Sequence, residues 1–280
     1  MQAGAPTGFE TVLAPGAQRR GYWRALLAHR SLFYHLAARD LRVRYKQTLL
    51  GLAWGLFRPL LSTGAFTLVF GMLGGFPTIG QTAYPIVVFC ATLPWQLFAT
   101  GVLHGSVSLT MNASLVTRVY FPRLLLPLSA LINGLVDFAV GLVLLLIVLI
   151  LVGQPPTWRL VTIPAFALLA LTFSLGLGLW LSALNVRYRD FGYLAPFLLQ
   201  LGFFLSPVGF LSTTVPEHWR VAYGLNPMVG AIDGFRWALL DPSGPLDLGV
   251  LAASVAVAIV TLVSGLAYFR RAELSFADRI

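Results

Sequence analysis

Residues 45–71 read "YKQTLLGLAWGLFRPLLSTGAFTLVFG". The run is apolar and long enough to cross ~30 Å of hydrocarbon as a helix, which takes about 20 residues. Yet Arg58 and Pro59 stand inside it. A permanent cation in hydrocarbon is costly, and a proline removes a backbone donor from the helix ladder. A soluble reading of this stretch would leave its apolar length without a place to be buried. A membrane reading leaves the arginine to be explained.

Composition favours the membrane. The 280 residues are 58% hydrophobic and 10% charged, and the mean hydropathy is +0.81. A soluble domain carries about 25% charged residues, because it must show polar groups to water. Six apolar runs of spanning length fall near 49–72, 85–104, 124–152, 160–184, 192–211 and 248–269. They lack the alternation of barrel strands, so helices that satisfy their own backbone are expected. The expectation is an all-α integral membrane protein with six transmembrane helices. The first apolar run begins near Leu49, too late for a secretory leader.

Lysine and arginine set the orientation. Arg19, Arg20, Arg24, Arg30, Arg39, Arg42, Arg44 and Lys46 precede the first run; Arg118, Arg123, Arg187, Arg189, Arg270, Arg271 and Arg279 fall on the same side. Against these fifteen, the other side holds only Arg159, Arg220 and Arg236, with Arg58 inside a span. The positive-inside rule then places both termini in the cytoplasm. The net charge of +9 is thereby a topology signal with anionic membrane lipid as its partner, and nucleic acid is not expected.

Residues 1–20 are rich in Gly, Ala and Pro and read as a mobile tail. Residues 21–47 read as an amphipathic interface helix, with Tyr22, Leu26, Phe33, Ala37 and Leu41 on one face and arginines interleaved. The remaining residues, 48–280, form the six-span domain. Within it, the loop after the second run holds a short helix near 112–120, with Asn112 or Ser114 as its cap. Such a knob, including Leu115, Val116, Arg118 and Tyr120, suits docking of a cytoplasmic partner, or serves only as a connector. Between the fifth and sixth runs lie two short apolar segments, 216–225 and 227–240, with Asn226 a cap and Pro227 a first helical residue. Neither is long enough to cross. They read as two short re-entrant outer helices, or as an ordinary interfacial hairpin.

Polar residues in the spans follow helical spacing. Ser129, Asn133, Asp137 and Gly141 are four apart, as are Gln96, Thr100 and His104. Asp137 is a functional candidate by its depth, and it is a candidate partner for Arg58. Glycine pairs at 51/55, 71/75 and 101/105 permit close helix contact. Trp54, Phe66, Phe70, Trp95 and Phe98 are candidate sugar-stacking or lipid-facing aromatics. Cys90 is alone and cannot make an internal disulfide, and the four histidines are scattered, so no metal site is expected. Lys46 is the only lysine and Gln47 follows it; a phosphate loop needs Gly-Lys before Ser or Thr. An energised transporter built on this chain needs its engine elsewhere, and no cofactor is expected on this chain. An enzyme reading, such as a membrane-embedded transferase, would require converging carboxylates that the spans do not offer. A proton-coupled carrier using Asp137 would call for inverted repeats, which are not evident.

Several stretches are similar to a known family. "RDLRVRYKQTLLGLAWGLFRPLL" (39–61), "VYFPRLLLPLSALINGLVDF" (119–138), "LNVRYRDFGYLAPFLLQLGFFLSPVGF" (184–210), "LNPMVGAIDGFRWALL" (225–240) and "YFRRAELSFADRI" (268–280) resemble the permeases of type-two ABC exporters, polysaccharide branch. The resemblance covers roughly 38–280 and leaves 1–37 without a counterpart. It implies a homodimer with a channel between two copies, driven by two separate ATP-binding subunits that hold ATP and Mg. It implies export of undecaprenyl-linked polysaccharide such as O antigen, teichoic acid or capsule across the bacterial inner membrane; a drug or lipid exporter of the wider family is the alternative. It makes 112–120 the coupling helix (Asn112, Leu115, Val116, Arg118, Tyr120) and 216–240 the outer gate (Trp219, Asn226, Pro227, Arg236). Arg58 then has three readings: snorkelling to the inner interface, pairing with Asp137, or holding the substrate's pyrophosphate at the channel entrance.

Overall fold

The computed structural model describes residues 18–46, 53–73, 78–79, 82–154, 157–240 and 246–276. Almost all of it is helix. Helices α1 (Gln18–Ala28) and α2 (Arg30–Lys46) are separated only at His29, where backbone bonds from His29 to Ala25 and from Phe33 to His29 carry the chain through. The expected single interface helix is thus two nearly continuous helices. Helix α3 (Ala53–Phe66) passes into a π-helical stretch, Thr67–Leu73. A minimal hairpin, β1 (Thr78–Ile79) and β2 (Thr82–Ala83), pairs antiparallel and leads into α4 (Tyr84–Met111). Then follow α5 (Ala113–Arg118), α6 (Leu125–Leu151), α7 (Ile163–Arg187), α8 (Phe191–Leu205), α9 (Glu217–Tyr223), α10 (Pro227–Leu239) and α11 (Leu248–Ala272).

Among the described residues, four helical segments are long and apolar enough to cross a membrane: Tyr84–Met111, Leu125–Leu151, Trp158–Arg187 and Leu248–Ser275. The first expected run is helical from Ala53 through Leu73, where α3 continues into the π-helical stretch. The fifth is shorter than expected: Phe191–Leu205 is an apolar helix of sub-spanning length that ends at Leu205 rather than continuing to 211. Pro59, Pro94 and Pro196 lie inside α3, α4 and α8, each withholding one backbone donor from its helix ladder.

Helix α4 is the centre of the bundle. It packs against α6 and α7, and α7 carries α11 on its other side. Small residues set these distances. A Cβ built on Gly105 would lie 3.5 Å from the Gly178 Cα, and one on Gly176 only 2.6 Å from the Leu262 amide nitrogen. Helices approach this closely only where side chains are absent. Gly101 and Gly105, read from spacing alone, face α7 across this contact. Gly51, Gly55, Gly71 and Gly75 lie outside the residues whose contacts are described.

One face of α1–α2 is used by protein. Leu36 and Ala37 are buried, and Tyr22, Leu26 and Phe33 pack with Phe121, Leu124, Leu125 and Val116 into one cluster with Phe269 and Phe276. Trp23 and Tyr34 stay exposed. Tyr22, Leu26, Phe33 and Ala37 thus turn toward protein, at the end of the bundle that carries α5, where a face toward the membrane interface was expected.

Candidate functional site

The end of the molecule bearing α5 is tied together by a few polar residues. Asn112 sits between α4 and α5 and does not cap α5, contrary to expectation. Its amide turns back to donate to the Ser108 carbonyl at 2.8 Å, and its Oδ1 accepts from Arg39 of α2 at 2.7 Å. Val116, expected on a docking surface, is instead 2% exposed. Its isopropyl group anchors α5 to the bundle, since an apolar side chain on a short helix is best placed inward. Arg118 and Thr117 remain exposed on α5, Tyr120 just beyond it, and Met111 just before it; Leu115 is half-buried. Below α5, Glu273 joins three segments. Its Oε1 accepts from the Arg123 backbone amide at 2.9 Å and from the Tyr22 hydroxyl at 3.3 Å, and its carbonyl accepts from the Arg123 guanidinium. Arg270 lies 4.0 Å over the Tyr22 ring. Burial, and then the Glu273 charge, push the Tyr22 phenol above its ordinary pKa, so it stays a donor. These contacts tie the segment after α5 to α1 and to the residues that follow α11.

Inside the bundle, Asp137 of α6 accepts from Arg44 of α2 at 2.6 Å, with side chains 11% and 20% exposed. Asp137 stands about 18 Å of helix rise above Leu125, so α2 must climb alongside α6 to deliver Arg44. One partner of Asp137 is thus an arginine expected in the interface helix; the Arg58 and Trp54 side chains, and with them the expected Arg58–Asp137 pair, lie outside the described residues. Ser129 and Asn133, on the same stripe, are buried. Gln96 and His104 of α4 are half-buried and Thr100 is buried.

The aromatic candidates converge. Phe66 stacks on Phe70 with centroids 5.6 Å apart and meets Phe203 of α8 edge-on at 5.4 Å. Phe203 touches Trp95 at 5.6 Å, Trp95 touches Phe98 at 5.3 Å, and Phe98 stacks flat on Phe173 at 4.9 Å. Trp95 and Phe98 are buried within this chain, while Phe70 is 43% exposed. Phe57, Leu61 and Leu68 of the same α3 region are also exposed and share a face with one another by helical spacing.

At the other end, the loop after α8 is held by three successive carbonyls. Arg236 of α10 donates to Val208 and Phe210 at 3.0 Å each, and the Tyr84 hydroxyl donates to Gly209 at 2.7 Å. Arg236 is only 3% exposed, and Asp233, one helical turn back, lies 3.9 Å away. This buried arginine was expected on an outer surface. The signal for it was present: an Asp and an Arg three apart inside "GAIDGFRWALL" share a helix face. Asn226 caps α10 as expected, accepting from the Met228 amide at 3.1 Å, with Pro227 in the first turn. Trp219 of α9 is 60% exposed. Among the described residues no group of three or more His, Cys, Asp and Glu could hold a metal ion.

These features define a multi-pass helical membrane protein with a small helix at one end and a short-helix hairpin at the other. The chain belongs to the ABC-2 type transporter family, whose signature matches residues 31–240. It is similar to the O-antigen export system permease protein RfbA of Myxococcus xanthus, 34% identical over 261 residues, which is 92% of this chain and 98% of that protein. It is also similar to the protein of that name from Klebsiella pneumoniae, 27% identical over 243 residues (86% and 91%). A third relative is the polysialic acid transport protein KpsM of Escherichia coli, 25% identical over 248 residues (85% and 92%). These relatives are transport permeases, which accords with a membrane transporter component rather than an enzyme.

Proposed function

We propose that this chain is the transmembrane subunit of an ATP-driven exporter that moves undecaprenyl-pyrophosphate-linked polysaccharide across the bacterial inner membrane. In this reading two copies enclose the channel and two ATP-binding subunits, carrying ATP and Mg, drive it. The observation that carries the reading is the near full-length similarity to a permease named for O-antigen export. α3 with its π-helical extension and α8 complete six spans, both termini are cytoplasmic, and α9 and α10 are re-entrant helices forming the outer gate. α1–α2 lies at the inner interface, and the tail 1–20 precedes it.

Within that scheme α5 is the coupling helix, and Met111, Arg118 and Tyr120 form its contact with the ATP-binding subunit. Val116 supports α5 from inside, and Asn112 and Glu273 carry its displacement to α2 and α11. The exposed face of α3, with Phe57, Leu61 and Leu68, lines the channel or meets the second copy, and Phe70 is exposed beyond it. Arg58, on the same helix, faces the channel entrance and engages substrate pyrophosphate, for which a guanidinium fork suits bidentate contact. Arg236 and Asn226 hold the gate hairpin against α8.

Co-purification tests the scheme. The chain co-expressed with the ATP-binding protein of its own export system should form a complex with ATPase activity. Charge reversal at Arg118 together with Tyr120→Ala should weaken that complex while leaving the fold intact. An unchanged complex and unchanged ATPase activity in this variant would remove α5 from the docking role.

A further inference from the structure

A cavity of about 500 Å³ lies inside a single copy of the chain, between α4, α7, α8, α11 and the α9–α10 hairpin. Its walls are the rings of Trp95, Phe98 and Phe173 and the side chains of Leu177, Leu181 and Leu199. None of its described lining residues carries a charge. Its few polar groups, at the hairpin end, are occupied by one another. Asn226 donates to the Ser206 hydroxyl at 3.0 Å and accepts from the Met228 amide, and the Tyr223 hydroxyl donates to the Leu205 carbonyl at 3.0 Å.

Such a space is unsuited to water, which needs two to four polar partners. Left empty, it would forfeit the dispersion contacts that close packing supplies. Its volume falls in the range of ligand sites, roughly 300–1,000 Å³. It also has a way in. Helix α8 rests on α4 and α7, and α11 rests on α7, α9 and α10, with no comparable packing of α8 on α11 among the described residues. Leu198 and Leu205 both line the cavity and are exposed, at 42% and 66%.

We propose that this cavity is a binding site for one acyl chain of a bulk membrane phospholipid, inserted laterally between α8 and α11 from the leaflet at the hairpin end. Walls made mostly of carbon, with their few polar groups already paired, suit a hydrocarbon tail. The lack of a cation among the described lining residues argues against a site for the pyrophosphate-linked isoprenoid, whose head needs charge-assisted contacts. The tail wedges α8 away from α11 and supports the hairpin from beneath. The site is separate from any channel between two copies and does not depend on the transported substrate.

The test uses the intact complex with its ATP-binding subunits in nanodiscs of phosphatidylethanolamine and phosphatidylglycerol. Part of the phosphatidylethanolamine carries a diazirine near the end of its acyl chain. After irradiation, peptide mapping should find adducts at Trp95–Phe98 and at 222–228, in addition to lipid-facing Ile147 and Ile150. Val257→Trp, which fills the cavity from α11, and the milder Ala222→Leu should each lower the interior adducts several-fold and leave those at Ile147 and Ile150 unchanged. Continued protection of Cys90 from thiol reagents shows that a variant is folded. Absence of the interior adducts in the unaltered chain, or equal adducts in both folded variants, would overturn the proposal. So would a cross-link from the cavity to a second copy of the chain. Loss of the interior adducts on adding undecaprenyl pyrophosphate would reassign the site to the isoprenoid and overturn it as well.

Discussion

Arg236→Met removes the guanidinium that holds the loop after α8 while keeping most of the side chain's length. In the unaltered chain two guanidinium nitrogens each donate at 3.0 Å to the carbonyls of Val208 and Phe210. Hydrogen bonds to a charged group contribute about 1.5–3 kcal/mol each, so the pair contributes about 3–6 kcal/mol. Relief of guanidinium desolvation offsets part of this, and Asp233 loses its neighbouring cation. A net loss near 3 kcal/mol is expected. Cys90 provides the assay, because it is the only cysteine and is fully buried in the same core. Its alkylation by a thiol reagent reports opening of the bundle. At about 1.36 kcal/mol per decade, the variant should label about 10²-fold faster. Arg236→Lys keeps the charge but not the fork and should recover part of the difference, and Asp233→Asn in the Met background should recover some as well. Cys90 labelling at the unaltered rate in Arg236→Met would refute the reasoning.

The Arg44–Asp137 pair should behave non-additively. Asp137→Asn or Arg44→Met alone should destabilise the bundle by about 3–5 kcal/mol, and Arg44→Met with Asp137→Leu by well under the sum; additive Cys90 labelling energies would dissolve the coupling. Gly176→Ala places a methyl against the Leu262 backbone and should cost about 1–3 kcal/mol by overpacking, seen as a lower thermal midpoint of the purified complex. Arg58→Ala should preserve basal ATPase activity and lose export, with Arg58→Lys intermediate. Full export by Arg58→Ala would leave only snorkelling as its role.

What was legible in the sequence was whatever depends on local spacing. The apolar runs gave the long helices, because span length is a property of consecutive residues. Asn226 followed by Pro227 gave the start of α10, and the capping bond to Met228 is there. The spacing of Tyr22, Leu26 and Phe33 gave an apolar face of α1–α2, but not that protein covers it. What was not legible depends on which helices cross. Asp137 and Arg44 are 93 residues apart, and no spacing rule announces that α2 climbs along α6. Asn112 looked like a cap by residue type, yet Arg39 and the Ser108 carbonyl hold its side chain. Arg236 was counted with loop arginines because charge asymmetry along the chain cannot separate an exposed cation from one clamping a neighbouring loop. The short α8 shows the same limit: an apolar run continues past Leu205, but Ser206 and Pro207 end the helix.

Reconstitution tests the central claim most directly. Proteoliposomes containing the chain, its ATP-binding partner and undecaprenyl-pyrophosphate-linked polysaccharide are given ATP, and polysaccharide reaching the opposite side is measured with a membrane-impermeant glycosidase or lectin. The account predicts movement only when the chain, the partner and ATP are all present. Movement by the chain without the ATP-binding partner, or ATP turnover by the complete complex without movement of the glycan, would contradict it.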